Sequence, residues 1–382
     1  MGVSQRLIPV FRPSISEEEL SAVKEVLESR WIGLGPKTVE FEKRFAEYVG
    51  ANHAIGTNSG TAALHLTLEA LGIGPGDEVI LPSLTFISCA HAVLYCNAKP
   101  VFADVYENTL TIDVEDIRRK ITEKTKAVMP VHYGGHPCDM DPILEVSEDK
   151  GIAVIEDAAH ACGAEYKGKK IGSVGDATCF SFHAVKNLTT GEGGMITTQR
   201  SDIAEKLRKL RWLGITKGTW DRYAPTQTKS LTSTPRWYYE VEGVGYKAHM
   251  NDIQGAIGIV QLSKLDKLNQ RRREIANFYD QNLSELSWIG VPIAKDFAKH
   301  AYHLYVIRVE KRDEFVSHMF NNGVTTSVHY MPIHLHPFYK KFKAKVPITE
   351  VVWKELVTMP MFPDLTNADL EKIISAVKRF EP

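Results

Sequence analysis

The sequence has almost no net charge, few cysteines and no long hydrophobic run. Its 46 basic and 47 acidic side chains give a formal net charge of −1, which excludes a general attraction to nucleic acid or anionic lipid. No stretch reaches about 18 consecutive apolar residues, so no membrane-spanning helix is expected. The five cysteines all precede residue 180 and none forms a C-x-x-C pair, which disfavours zinc ribbons and redox motifs. Any anionic ligand must therefore be held by a local site.

The amino-terminal residues also lack the pattern of a targeting sequence. Their one short apolar run is interrupted by Pro9 and flanked by Arg6 and Arg12, unlike a signal peptide. We therefore expect a cytoplasmic protein. The length of 382 residues predicts two or three domains, and the composition, 43% hydrophobic and 24% charged, is that of a folded globular protein.

Short apolar runs alternate with helical patterns through the first 250 residues or so. Residues 16–29 begin with a capping box, and the helical patterns at 39–49 and 61–71 follow. The apolar runs lie at 78–81, 100–105, 127–131, 152–155, 177–182 and 195–198. This alternation predicts an α/β fold with a mostly parallel sheet in the larger part of the chain.

The remainder of the chain has a different pattern. A long helix is expected from Asn251 to about Leu283, and strand-like segments HLYVIRV and TTSVHY with two further helices indicate a smaller α+β unit. We predict a large α/β domain over residues 1–255 and a small C-terminal α+β domain over 256–382.

The residues with the strongest chemical pattern follow two of the predicted strands. Asp157 comes at the carboxyl end of one strand, and Ser181 and Lys186 come at the end of the next, where α/β proteins bind ligands. Taken singly, Asp157 would be a helix cap and Lys186 a solvated lysine. Together with glycines at 191, 193 and 194, they favour a site in which backbone approaches a ligand closely.

A lysine and an acid at neighbouring strand ends suit Schiff-base chemistry with pyridoxal phosphate. The lysine would bond to the cofactor, and the carboxylate would keep the pyridine nitrogen protonated. Such a site also needs a phosphate-binding loop, and Ser59, Gly60 and Thr61 open a predicted helix whose amides and hydroxyls would serve. By itself this segment would be an ordinary turn with a helix cap.

Other site types fit less well. His329, His334 and His336 are separated by prolines or lack nearby acids and thiols, so no metal site is predicted. A nucleotide-dependent oxidoreductase would require G-x-G-x-x-G after the first strand, and this motif is absent.

Six segments together resemble one family of enzymes. They are TNSGTAALH, PSLTFISCAHAV, VIEDAAHACGA, FSFHAVKNLTTGEGG, GYKAHMNDIQGAIG and SVHYMPIHLHPFY. In this order they are similar to the DegT/StrS-type nucleotide-sugar aminotransferases. The resemblance implies a fold-type I aminotransferase that uses pyridoxal 5'-phosphate, with pyridoxamine 5'-phosphate formed in the half reaction. It also implies a homodimer with shared active sites. The near-zero net charge and the lack of a long apolar run, in turn, predict no nucleic-acid or membrane partner.

The resemblance assigns roles to individual residues. Lys186 would bond to the cofactor, Asp157 would pair with its ring nitrogen, and His160 would lie beside its ring. The cofactor-binding set is Ser59, Gly60, Thr61, Phe86, Asp157, His160, Ser181, Lys186 and Lys247, the last reaching the partner subunit's phosphate. The positions near the sugar substrate are Trp31, Ile32, Lys217, Arg222 and His329.

The substrate implied by the resemblance is a keto-sugar nucleotide, aminated from an amino acid such as L-glutamate. His160 and Lys247 look most like the branch that forms UDP-4-amino-4-deoxy-L-arabinose, and the HYMPIHLHP segment resembles enzymes that act on 4-keto sugars. Two alternatives stay open: a transaminase for a 3-keto or non-nucleotide keto sugar, and a non-enzymatic regulator that binds pyridoxal phosphate. A sugar dehydratase of the same fold would lack Lys186.

Overall fold

Two amphipathic helices are the first helices of the described residues. A computed structural model describes residues 7–381 apart from 219, 221, 223–234 and 236. Helix α1 (Glu17–Ser29) starts with the predicted capping box, in which the Ser16 N–H donates to Glu19 Oε2 at 2.8 Å. Helix α2 (Pro36–Val49) begins three residues earlier than the sequence pattern indicated. Proline is tolerated in a first helical turn, where its missing N–H would have no partner.

The main sheet is mostly parallel, as predicted. Its strands are β1 (His53–Thr57), β2 (Glu78–Pro82), β3 (Lys99–Ala103), β4 (Thr125–Val128), β5 (Ala153–Asp157), β8 (Ala177–Ser181) and β9 (Gly194–Thr198). They lie in the order β1-β9-β8-β5-β4-β2-β3, and β9 runs antiparallel to both of its neighbours. The other neighbouring pairs are parallel. Strand β1 was not predicted, because its sequence HAIGT contains a glycine and only one β-branched apolar residue, Ile55.

Helices cover both faces of this sheet. They include α3 (Gly60–Ala70), α4 (Ser88–Tyr95), α5 (Val114–Lys120), α6 (Met140–Lys150) and α7 (Ser201–Leu210). Successive residues of β2 enter different apolar layers: Ile80 packs with Phe41 and Phe180, whereas Val79 and Leu81 pack on the opposite side. A strand buried on both faces exposes functional side chains mainly at its ends.

Helix α8 (Asp252–Leu283) is the long helix expected from the sequence, and it starts with a second capping box at Asn251. Beyond it lie β10 (Ile289–Gly290), β12 (Tyr305–Val309) and β13 (Leu356–Met359), which form an antiparallel sheet. Helices α9 (Arg312–Asn321), α10 (Pro347–Val352) and α11 (Asn367–Lys378) accompany this sheet. The division of the chain at residue 255 stays a prediction, since α8 continues through that point without a break.

One predicted strand is wrong. The TTSVHY segment does not form a strand. It pairs with β13 only through a single bridge between Ser327 and Thr358. Its Thr and Val residues favour extended backbone, but His329 and Tyr330 line the cavity described below.

A small hairpin lies between β5 and β8 in the chain. Strands β6 (Glu165–Tyr166) and β7 (Lys169–Lys170) form it, and β11 (Ala298–Lys299) pairs with β6. The five cysteines are buried and unpaired with one another. Among the described helices, none combines the length and apolar character needed to cross a membrane.

Candidate active site

Residues far apart in sequence line one cavity at the carboxyl ends of β5 and β8. The cavity measures about 310 Å³. The site residues predicted from the sequence that line it are Ser59, Gly60, Thr61, Phe86, Asp157, His160, Ser181, Lys186 and His329. The parallel pairing of β5 with β8 brings the Asp157 and Ser181 strand ends to the same edge of the sheet.

The amino terminus of α3 forms one wall of the cavity. Ser59 is its N-cap and its Oγ accepts from the Ala62 N–H at 3.1 Å. The preceding amides of the first turn, those of Gly60 and Thr61, have no partner within the helix and point outward with the positive end of its dipole. This wall therefore suits an anion such as a phosphate group.

Gly60 is needed at this wall for steric reasons. A Cβ at position 60 would lie 2.8 Å from Ser181 Cβ, closer than real Cβ contacts allow. Thr61 Oγ1 lies 2.7 Å from Ser88 Oγ, which places a second hydroxyl beside the cavity. The α3 terminus and β8 are thus packed in direct contact, and only glycine leaves room for both.

Asp157 faces the cavity from the end of β5 with 5% of its surface exposed. Its Oδ2 accepts from the Cys89 thiol at 2.9 Å, and its Oδ1 accepts from the Ala159 N–H at 2.9 Å. Burial and the carboxylate of Asp157 raise the pKa of Cys89 well above its usual value, so this thiol stays protonated and donates. No helix begins at Ala158, so Asp157 is not a helix cap.

Lys186 extends its amine into the same cavity. Desolvation by the surrounding atoms lowers the pKa of Lys186 to about 8, and the carboxylate of Asp157 opposes part of that shift. A lysine with this pKa is partly neutral near physiological pH, whereas an exposed lysine titrates near pH 10.4. Neutral amine is the nucleophilic form, so Lys186 is suited to bond with a carbonyl carbon.

We expect a characteristic pH dependence for the reaction of Lys186 with added pyridoxal phosphate. Below the pKa the amine is an ammonium ion, so the rate should rise with pH and level off above about pH 8. The measurement is the rate of the absorbance change when cofactor-free protein is mixed with pyridoxal phosphate at a series of pH values. A simple alkylamine is the control, and its rate should keep rising to about pH 10. A protein profile that matched the alkylamine would contradict the lowered pKa.

His160 lines the cavity with 5% of the residue exposed. Its Nδ1 accepts from the Gly134 N–H at 3.3 Å, which leaves Nε2 to donate to Tyr330 Oη at 3.1 Å. Burial, with Lys186 and His329 nearby, lowers the pKa of His160 well below its usual value, so the ring is neutral.

Two aromatic groups are placed differently at the mouth of the cavity. Phe86 is 54% exposed and its ring lies 5.7 Å from the Tyr330 ring. An exposed aromatic face at a cavity entrance is available to stack on a planar ligand. His329 is half-buried, and its Nδ1 lies 2.8 Å from Thr358 Oγ1.

The remaining predicted residues lie outside this cavity. Trp31, Ile32 and Lys247 line a second cavity of about 590 Å³, and Lys247 Nζ lies 3.5 Å from the centroid of the Trp212 ring. Lys217 and Arg222 line neither cavity, and the Arg222 guanidinium lies 4.6 Å from the Tyr239 ring centroid.

Sequence reasoning missed several side chains that contact the predicted site residues, and three of them contact Asp157, His160 and Lys186. Cys89 donates to Asp157, Tyr330 contacts His160, and His303 Nε2 lies 3.4 Å from Lys186 Nζ. Nothing in the sequence singled out Cys89 among the five cysteines. Tyr330 was inside a motif that matched the resemblance, so that motif was the available indication of it. Nothing in the local sequence around His303 distinguished it from other buried histidines.

The cavity fits pyridoxal phosphate in three respects. An amine with a lowered pKa, Lys186, is available for its aldehyde. A carboxylate, Asp157, is held at the far side by a thiol and an amide and keeps an acceptor for a ring N–H. The α3 terminus supplies unpaired amides for the phosphate of the cofactor. Gly60 at this terminus cannot be replaced by another residue without displacing Ser181.

Comparisons with known proteins cover nearly the whole chain. The model of the DegT/DnrJ/EryC1/StrS aminotransferase family matches residues 13–378. An uncharacterized protein of Methanocaldococcus jannaschii is 46% identical over 387 residues, covering 99% of this chain and 98% of the relative. The spore coat polysaccharide biosynthesis protein SpsC of Bacillus subtilis is 45% identical, covering 97% of this chain and 96% of the relative.

Solved structures agree with these sequence matches. Spr1654 from Streptococcus pneumoniae, in its PMP form, has a TM-score of 0.89 at 32% identity, with 97% of both chains covered. The same protein has also been solved in its PLP form, again with a TM-score of 0.89.

Proposed function

Because the chain belongs to the DegT/DnrJ/EryC1/StrS aminotransferase family, we propose that it transfers the amino group of L-glutamate to a 4-keto-sugar nucleotide. Membership makes the protein a sugar aminotransferase that depends on pyridoxal phosphate. The donor, the nucleotide and the carbon aminated are the proposed part. The observation that carries the amino-transfer chemistry is that Lys186, Asp157 and the α3 terminus line one cavity.

Each wall of the cavity has a proposed task in binding the cofactor. Gly60 and Thr61, with the hydroxyls of Ser59 and Ser181, would hold the phosphate. Asp157 would accept from the ring nitrogen and keep it protonated, while Phe86 would cover one face of the ring and His160 would lie beside it. When bound, pyridoxal phosphate supplies an aldehyde that bonds to amines and a ring that delocalises negative charge from the neighbouring carbon.

Lys186 would then act as the base. Its free Nζ would take the proton from the amino-bearing carbon of the donor and would return a proton to the sugar carbon that receives the amino group. A pKa of about 8 suits both directions of transfer near neutral pH, and positioned acid-base groups contribute about 10²- to 10⁴-fold in rate. Donor and acceptor use the same site in turn, so the kinetics should be ping-pong.

The proposed acceptor follows from the relatives and from the sequence resemblance. SpsC, 45% identical, is a spore coat polysaccharide biosynthesis protein, which supports a role in making amino sugars for a surface polysaccharide, lipopolysaccharide or related glycoconjugate. We propose that Trp31, Ile32, Lys217, Arg222 and His329 contact the sugar nucleotide. The cytoplasmic location stays a prediction.

A screen of keto-sugar nucleotides with L-glutamate tests this function. We expect a nucleotide-linked 4-keto sugar to be converted to an amino sugar, with 2-oxoglutarate formed in equal amount, as measured by mass spectrometry. Conversion of a 3-keto sugar instead would show that the amino group is transferred to carbon 3. A protein that bleached once with glutamate and converted no keto sugar would support the non-enzymatic regulator.

We also propose a homodimer with shared sites, based on the position of Lys247. Lys247 lines the second cavity and not the cavity formed by the α3 terminus of its own chain, which supports the proposal that its amine serves the phosphate of a partner subunit. A shared site of this kind would need a symmetric dimer, in which each subunit gives and receives the same residue.

Mixed dimers test the shared site. Lys247→Glu and Lys186→Ala would each inactivate a homodimer, but a mixed dimer would have one site in which both native residues are present. Random pairing makes half of the dimers mixed, with one of two sites intact, so co-expression should restore about a quarter of wild-type activity. Activity equal to the average of the two variants, or a fully active Lys247→Glu homodimer, would contradict the shared site.

A further inference from the structure

His303 is buried directly against the amine of Lys186. Its Nε2 lies 3.4 Å from Lys186 Nζ, and only 2% of the residue is exposed. The ring stacks on Phe11, with centroids 5.4 Å apart and planes 5° apart, and lies 4.5 Å from the ring of His160. Packing on two sides therefore holds the imidazole in one orientation.

A chain of side-chain amides determines which nitrogen of His303 carries the proton. Asn187 Nδ2 donates to Asn269 Oδ1 at 2.8 Å and to the Ala301 carbonyl at 2.9 Å. Asn269 Nδ2 in turn donates to the Cys162 carbonyl at 2.9 Å. With both amide orientations fixed in this way, Asn187 presents its Oδ1 to His303 Nδ1 at 3.1 Å.

An amide oxygen only accepts hydrogen bonds, so Nδ1 of His303 must carry the proton. In a neutral imidazole the other nitrogen, Nε2, is then an acceptor, and it is the atom that faces Lys186. Burial lowers the pKa of His303 well below its usual value. The charged and titratable groups around it act in the same direction; they are Lys186, His160, Arg272 and His329.

We propose that His303 is a positioning residue for Lys186, accepting one N–H of the free amine so that its lone pair is directed into the cavity. This inference rests on the proposed bond between Lys186 and the cofactor. It applies whenever Lys186 is free, which includes the half of the reaction in which the amino group resides on the cofactor. His303 contributes by orientation and does not itself exchange a proton with substrate.

The two forms of the cofactor allow a direct test. Pyridoxal phosphate bonds to Lys186: the amine lone pair forms the carbon–nitrogen bond, and the aldehyde oxygen leaves as water with the two amine protons. Pyridoxamine phosphate has no aldehyde and binds through the cavity walls alone. Each variant of the full chain is first stripped of cofactor. Two quantities are then measured: the rate at which Lys186 bonds to pyridoxal phosphate, and the dissociation constant for pyridoxamine phosphate.

We expect His303→Leu to slow bond formation by about tenfold, the size expected for one hydrogen bond, with the pyridoxamine phosphate dissociation constant unchanged within about twofold. His303→Gln places an amide oxygen near the position of Nε2 and should recover most of the rate. The matched control is His300→Asn, because His300 is also buried but its Nδ1 accepts from the Tyr302 N–H. This control should behave as wild type.

Three results would overturn the proposal. They are a wild-type rate in His303→Leu, an equal loss of bond formation and pyridoxamine phosphate affinity, and a His303→Gln variant as slow as His303→Leu. No sugar is present in this assay, so failure of the proposed sugar substrate would leave it unaffected. A wild-type protein that formed no bond with pyridoxal phosphate would refute the proposed role of Lys186 instead.

Discussion

Replacing Lys186 with alanine is expected to abolish transamination, with a loss of about 10⁴-fold or more. Lys186 is proposed both to bond to the cofactor and to move the proton, and acid-base groups alone contribute up to about 10⁴-fold. The bond to the cofactor should disappear as well, so reduction with borohydride followed by mass spectrometry should find no cofactor attached to the chain. Affinity for pyridoxamine phosphate should remain, since it depends on the other walls of the cavity.

A matched control for this variant is Lys170→Ala. Lys170 is a half-buried lysine too, but it pairs with Glu165 at 3.4 Å in the hairpin, away from the cavity. It should retain activity and borohydride trapping at position 186. Turnover retained by Lys186→Ala, or cofactor trapped at another lysine in the wild-type protein, would refute the assignment.

The second large effect is expected for Asp157→Asn, which should lower kcat by about 10²- to 10³-fold. An asparagine cannot compensate the charge of a protonated ring nitrogen, and removal of one well-placed electrostatic group typically has this cost. Lys186 should still bond to pyridoxal phosphate, because the amine and the phosphate site are unchanged. Stopped-flow absorbance of the half reaction with glutamate would measure the slower proton removal.

Glu156→Gln separates this effect from damage to the fold. Glu156 precedes Asp157 on β5, but its carboxylate contacts His132 Nε2 at 2.9 Å on the other side of the strand. Breaking this buried pair should lower the free energy of unfolding by about 3 kcal/mol or more, while kcat at a permissive temperature stays close to wild type. Equal losses of kcat in the two variants would show that Asp157 acts through stability, contrary to our proposal.

Much of the fold was predictable because its determinants are local. The capping box at Ser16 and the apolar periodicity of α8 operate over three or four residues, and both helices were predicted close to their observed bounds. The strand–helix alternation likewise predicted a mostly parallel sheet. The TTSVHY segment shows the limit of such reasoning, because composition favours extended backbone there while tertiary contacts of His329 and Tyr330 prevail.

The candidate site was predictable only in part. Asp157 and Lys186 follow strands and belong to a distinctive motif, so their residue types and positions identify them in the sequence. Cys89 and His303 have no such pattern, since their partners Asp157 and Lys186 are 68 and 117 residues away. Contacts of that separation depend on how strands and loops pack.

The sequence by itself determined the fold class, the family resemblance and the residues with the clearest chemistry, because these follow from residue type and short spacing. The tertiary structure alone decided that the α3 terminus, Asp157 and Lys186 share one cavity, and that Lys247 faces a different one. It also decided the environment that lowers the pKa of Lys186, since desolvation and nearby charge exist only once distant segments have packed around the amine.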